Sequence, residues 1–153
     1  MLKLIISIMI SQLAGVIGGL FTGPAIPEWY QSLDKPFFTP PGWIFGPVWS
    51  VLYTLMGIAL YLVWRKELKT PGVKQALMVY IIQIFLNALW PVVFFGNRSI
   101  CGGLIVILLL WVAIAAAVAK FLRVSKPAGL LLIPYIAWVS FAVILNAAIA
   151  VLN

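Results

Sequence analysis

Five apolar runs separated by short polar stretches set the pattern of this chain, at about residues 4–21, 43–64, 75–95, 100–122 and 128–152. Each is close to the ~20 residues that a helix needs to cross the hydrocarbon of a bilayer. The pattern predicts an all-α integral membrane protein, a single five-transmembrane-helix bundle over residues 1–153. No Ser/Gly/Glu-rich linker divides it, and no internal repeat is visible. The first run carries Lys3 and a long apolar stretch, as a signal peptide does. Its end, with Gly15, Gly18 and Gly19, has no small-residue cleavage site, so it is read as a retained helix.

Composition sharpens this assignment. The chain is 65% hydrophobic and only 8% charged, more apolar surface than a soluble core of 153 residues could hide. It has no histidine and one cysteine, Cys101, which excludes an intrachain disulfide, a Cys/His zinc site, a His-based catalytic triad and a histidine ligand for haem iron. No metal site is expected.

Charge gives the topology. The loops after successive spans alternate between two faces, and the face that holds the N-terminus collects Lys3, Arg65, Lys66, Lys69, Lys74, Lys120, Arg123 and Lys126, eight of ten cations, against Glu67. The other face has Lys35 and Arg98 beside Glu28 and Asp34. By the positive-inside rule the N-terminus lies in the cytoplasm, and the long loop, residues 22–42, lies outside with the C-terminus. These cations sit in short loops and not along an amphipathic face, so no nucleic acid is expected as a partner.

Polar and aromatic side chains inside the spans mark where a site can form. Helix one carries Ser11, Gly15, Gly19 and Gly23 at every fourth position, a small-residue stripe that admits a neighbouring backbone or a ligand. Helix two aligns Trp49, Tyr53 and Gly57; helix three aligns Gln83, Asn87, Trp90 and Phe94; helix five aligns Trp138, Ala142 and Asn146. At about 1.5 Å per residue, Gly19, Asn87, Trp90, Trp138 and Ala142 lie roughly 15 to 22 Å from the cytoplasmic boundary, and Trp49 about 9 Å below the outer one. All converge in the outer half of the bilayer, beneath a loop rich in proline and aromatic residues, including Trp29, Tyr30, Phe37 and Phe38. Two readings stand for each amide, an interhelical hydrogen bond or ligand contact, and two for Trp49, Trp90 and Trp138, packing or ligand stacking.

At these residues the sequence resembles the translocator protein family, also called tryptophan-rich sensory proteins. The match runs through Trp29-Tyr30, Lys35-Pro36, Pro40-Pro41, Gly46-Pro47-Val48-Trp49, Leu52-Tyr53, Gln83, Leu86-Asn87, Trp90-Pro91, Phe94-Phe95-Gly96, Pro134-Tyr135, Trp138 and Leu145-Asn146. The resemblance implies a five-helix bundle, often a homodimer, that binds porphyrins such as protoporphyrin IX and lipophilic small molecules of the isoquinoline carboxamide and benzodiazepine classes under the first loop. Carried over by position, the ligand-binding residues are Gly19, Thr22, Tyr30, Phe45, Gly46, Val48, Trp49, Asn87, Trp90, Trp138, Ala142 and Asn146. Two departures stand out: Ala88 occupies a position where the family often has tryptophan, and Ala147 and Val151 stand where the animal cholesterol motif has tyrosine and a basic residue.

The expected function is that of a membrane receptor or sensor for a flat tetrapyrrole, with Lys35 or Arg98 at the rim for its carboxylates. No cofactor is required, and membrane lipid surrounds the chain. The alternative implied by the resemblance is light- and oxygen-dependent porphyrin breakdown, with Trp49 and Trp138 as the catalytic residues. Transport is a third class. Five helices without inverted repeats and without an intramembrane acid disfavour a coupled pump. The chain is short and without a C-terminal extension, so the expected location is a bacterial cytoplasmic membrane.

The topology is directly measurable. With Cys101 replaced by serine, a cysteine at Lys69 and one at Thr39 should react with a membrane-impermeant maleimide from opposite sides of oriented vesicles, Thr39→Cys from the periplasmic side.

Overall fold

A computed structural model describes all residues, 1–153, and they are helical almost throughout. Helix α1 spans Leu2–Glu28, α2 Phe45–Trp64, α3 Val73–Pro91, α4 Ile100–Val124, α5 Lys126–Leu131 and α6 Ile133–Leu152. The last two run in series, so five segments are long and apolar enough to cross a membrane. The chain is an integral, multi-pass membrane protein. Its lipid-facing surface is apolar, with Met9, Leu13, Met78, Ile81, Phe85, Val112 and Ile144 all exposed.

Prolines shape three of the segments. Pro91 has no N–H to give to the preceding turn, and α3 continues as a wide π-helical turn, Val92–Gly96, closed by Asn97 N donating to Val92 O. Pro134 likewise separates α5 from α6 at Leu132, so the run 128–152 is two helices and not one. Residues 22–28, assigned to the long loop by hydropathy, instead extend α1 by nearly two turns despite Pro24 and Pro27. Tertiary burial overrides the breakers. Ala25 is buried in an outer cluster with Tyr30, Phe94, Phe95, Leu145 and Ile149.

The remaining loop is ordered. The Lys35 ammonium donates to the carbonyls of Tyr30, Leu33 and Gln31 at 2.9, 3.0 and 3.3 Å and sits 5.0 Å from the Tyr30 ring centroid. The Asn153 side chain exchanges hydrogen bonds with the backbone of Asp34, tying the C-terminus to the loop. Trp29 turns inward edge-on to Phe94 and Phe95, and Tyr30 lies edge-on to Phe94 and tilted against Phe95, whereas Phe37 is fully exposed.

At the opposite end, Lys3 donates to Trp64 O, Lys66 to Val124 O and Lys120 to Gln75. These contacts gather the ends of four helices at one basic face.

In a bilayer, helix association depends on close packing and internal hydrogen bonds, because lipid is as apolar as leucine. Two glycines set how α1 lies. A Cβ on Gly57 of α2 would come within 2.6 Å of Ile8 Cα on α1, so the two backbones touch there. A Cβ on Gly18 would come within 2.9 Å of Pro91, which fixes α1 against α3. Farther along, Gly19 and Gly23 of α1 and Gly46 of α2 have nothing within 4 Å of a Cβ. The two backbones touch at Gly57, Gly15 still packs against Tyr53 farther up, and open space is left beside them only toward the loop.

Gly57→Val should therefore destabilise the bundle by about 1–3 kcal/mol through overpacking against backbone. Gly23→Ala, with open space around it, should leave the midpoint unchanged or raise it. Thermal unfolding in detergent compares the two.

Candidate functional site

The space left where α1 leaves α2 is a cavity of about 370 Å³ in the loop-side half of the bundle. That volume falls within the range of small-molecule sites. Its floor is a chain of buried polar groups. Tyr53 Oη donates to Asn87 Oδ1 (2.6 Å), Asn87 Nδ2 to Tyr135 Oη (2.8 Å), and Tyr135 Oη to Gln83 Oε1 (2.7 Å). Below it, Ser11 is hydrogen-bonded to Tyr80. Three spans are joined by this chain, and unpaired amides in hydrocarbon would be costly, which explains why Gln83 and Asn87 are buried together. One atom is left over: Gln83 Nε2 has no partner.

The walls are aromatic. Trp49 stacks on Tyr53 at 5.4 Å between centroids, Trp138 meets Phe45 edge-on at 6.1 Å, and Trp90 stacks on Phe94 at 5.1 Å. Trp90 is also oriented by its Nε1–H, which donates to Asn146 Oδ1 at 3.1 Å, while Asn146 Nδ2 donates to Ile100 O at 3.2 Å. All three amides, Gln83, Asn87 and Asn146, thus make the interhelical bonds that were one of their two readings. Ile26, Tyr30 and Phe95 close the space on the loop side. Burial pushes the Tyr30 phenol above its ordinary value, so it stays protonated.

The remaining side is open between α1 and α2. Gly19 and Gly46 flank the gap, and Gln12 latches its lower end, donating from Nε2 to Ser50 O (3.1 Å) and Thr54 Oγ1 (3.0 Å). No charged residue lines any part of the cavity.

Of the residues singled out from the sequence, Gly19, Thr22, Tyr30, Phe45, Gly46, Trp49, Asn87, Trp90, Trp138, Ala142 and Asn146 line this one cavity. Val48 does not. It packs against the main hydrophobic core, turned away from Trp49's face of the helix. The rim cations also differ from expectation. Lys35 is spent on loop carbonyls, and Arg98 pairs with Glu28 at 3.0 Å, so neither projects as a free partner for a carboxylate.

Several lining residues escape a reading of the sequence. Gln12 and Ser50 carried a signal, being polar within a span. Ile107 and Leu110 of α4 carried none, since lining and packing positions within a long apolar stretch look alike.

A multi-pass membrane protein with an uncharged, tryptophan-lined cavity in the loop-side half of its bundle is the class that fold and site define. Residues 7–152 match the model of the TspO/MBR family, and the chain belongs to that family. It is 41% identical over 152 residues to the tryptophan-rich protein TspO of Archaeoglobus fulgidus, covering 99% of this chain and 97% of that one. It is 38% identical over 144 residues to the translocator protein of Bos taurus, covering 90% and 82%. Identity to the tryptophan-rich sensory protein of Cereibacter sphaeroides is 39% over 119 residues, covering 78% and 73%.

The polar floor is testable by deletion of its central hydroxyl. Tyr135→Phe leaves Asn87 and Gln83 each short of a partner and should lower stability by about 1–3 kcal/mol, read as a fall in the unfolding midpoint with the far-ultraviolet spectrum unchanged.

Proposed function

We propose that this protein is a membrane receptor for flat, lipophilic tetrapyrroles such as protoporphyrin IX, and for isoquinoline carboxamide and benzodiazepine-type ligands of similar shape. The observation that carries this reading is the cavity itself, in which Trp49, Trp90 and Trp138 all line one uncharged space. Stacking on aromatic rings suits a planar apolar molecule, and few polar groups are left to demand partners from it. Asn87 keeps one N–H beyond its bond to Tyr135, which gives a ligand acceptor a single anchoring point at the floor. A porphyrin's carboxylates have no cation inside the site. They belong at the open side, in contact with water or headgroups, because a buried unpaired carboxylate is prohibitively costly. The basic end faces the cytoplasm in this reading, supported by the excess of cations there.

A second reading follows from the same rings. Trp49 and Trp138 both border the space a porphyrin would fill, and Trp49 lies beside Tyr53 and Tyr135, at 5.4 and 6.3 Å between centroids. Electron-rich side chains next to a photo-excited macrocycle can take part in its oxidative breakdown with oxygen as the oxidant. Under illumination, Trp49→Phe and Trp138→Phe should then slow porphyrin bleaching more than they weaken binding. Equal bleaching in variants and parent leaves receptor action alone.

Binding itself is read by quenching of tryptophan fluorescence. Protoporphyrin IX should quench the parent saturably. Gly19→Leu, placed in open space, should retain the parent's unfolding midpoint and weaken binding by about tenfold or more, the equivalent of ~1.4 kcal/mol. Unsaturable quenching, or quenching unaffected by Gly19→Leu, would contradict the assignment.

A further inference from the structure

A second cavity, of about 260 Å³, lies at the basic end, remote from the aromatic site, and is lined by Pro71, Gly72, Gln75, Lys120 and Arg123. From this we infer that it seats the phosphate headgroup of an anionic phospholipid from the leaflet on the basic side.

The cations there are uncompensated. Lys120 Nζ donates to Gln75 Oε1 at 3.0 Å and keeps two further N–H groups, and the Arg123 guanidinium has no hydrogen-bond partner at all. The structure's single ion pair, Arg98–Glu28, is at the other end, and Glu67 is the only acid among eight cations on this face.

The backbone adds to the field. Helix α3 starts after Gly72, whose φ of 86° is the left-handed conformation, and it has neither a side-chain cap nor an acidic residue in its first turn. Val73 N donates to Thr70 O and Ala76 N to Gly72 O, which leaves the N–H groups of Lys74 and Gln75 without acceptors. Unpartnered N–H groups at a helix start, next to a guanidinium and an ammonium, form an anion site.

Position selects a lipid as the source of the anion. Arg123 is in the last turn of α4, where the apolar run ends and headgroups begin. Away from Gln75 and Lys120, the same faces of α3 and α4 continue into the hydrocarbon as exposed Met78, Ile82 and Val112, at the spacing of successive turns. Acyl chains lying along that surface would hold the phosphate at the cavity. Basic pockets between transmembrane helices are suited to anionic headgroups in this way.

Native mass spectrometry of the full-length protein, titrated with dioleoyl phosphatidylglycerol or dioleoyl phosphatidylcholine, tests the inference. The parent should prefer the anionic lipid. The pair Lys120→Gln/Arg123→Gln should lose about thirtyfold of that preference, at roughly fivefold per cation. Arg123→Gln alone breaks no contact and should lose about fivefold, which keeps the test open if the pair folds poorly. Arg65→Gln/Lys69→Gln removes equal charge outside the cavity and should retain most of the preference. Three results would each overturn the inference: no preference in the parent, equal loss in the two double variants, or displacement of the lipid by millimolar inorganic phosphate.

Discussion

The contact between Gly57 and Ile8 is the constraint from which the site follows. Without a hydrophobic force between helices, α1 and α2 are held where their backbones can approach most closely, and glycine permits that at one level of α2. Gly18 against Pro91 then holds α1 to α3 farther along. α1 is held to α2 from Gly57 up to Gln12 and Gly15, which meet Thr54 and Tyr53, and to α3 at Gly18, and open space begins beside Gly19 and Gly46 nearer the loop. The aromatic cavity occupies the resulting wedge, with Gly19 and Gly46 at its open edge.

The polar side chains of the spans answer to the same solvent. Tyr53, Asn87, Tyr135 and Gln83 are bonded in a chain across three spans, with only Gln83 Nε2 left without a partner, and Trp90 and Asn146 are bonded beside them. These bonds orient the walls and floor, so the cavity's shape is set before any ligand enters. They also consume most of the polarity, and the space that remains is apolar and uncharged. Charge is relegated to the two ends, where Lys35 and Arg98 brace the loop side and an unpaired cluster marks the basic side.

Much of this was legible in the sequence because hydropathy, charge asymmetry and the turn-by-turn spacing of Trp, Asn and Gly are local properties. The five spans, the grouping of cations and the convergence of Trp49, Asn87, Trp90, Trp138 and Asn146 all follow from them. What was not legible depends on how side chains and segments turn toward one another in three dimensions. Residues 22–28 are helical because Ala25 is buried against α6 and the turn after α3, a gain that Pro24 and Pro27 conceal. Lys35 is turned onto loop carbonyls, and Arg98 is drawn to Glu28, pairings that span 5 and 70 residues. Val48 adjoins Trp49 in sequence but falls on the core side of the helix, and the lining residues of α4 are indistinguishable from its packing residues.

The central claim is that the wedge between α1 and α2 is where a flat ligand resides. A structure determined in lipid with protoporphyrin IX bound tests it most directly. The account predicts the macrocycle between Trp49 and Trp138, above Asn87, with its carboxylates toward the open side at Gly19 and Gly46. A macrocycle on the lipid-facing surface or on the loop, with the wedge free of it, would contradict the account.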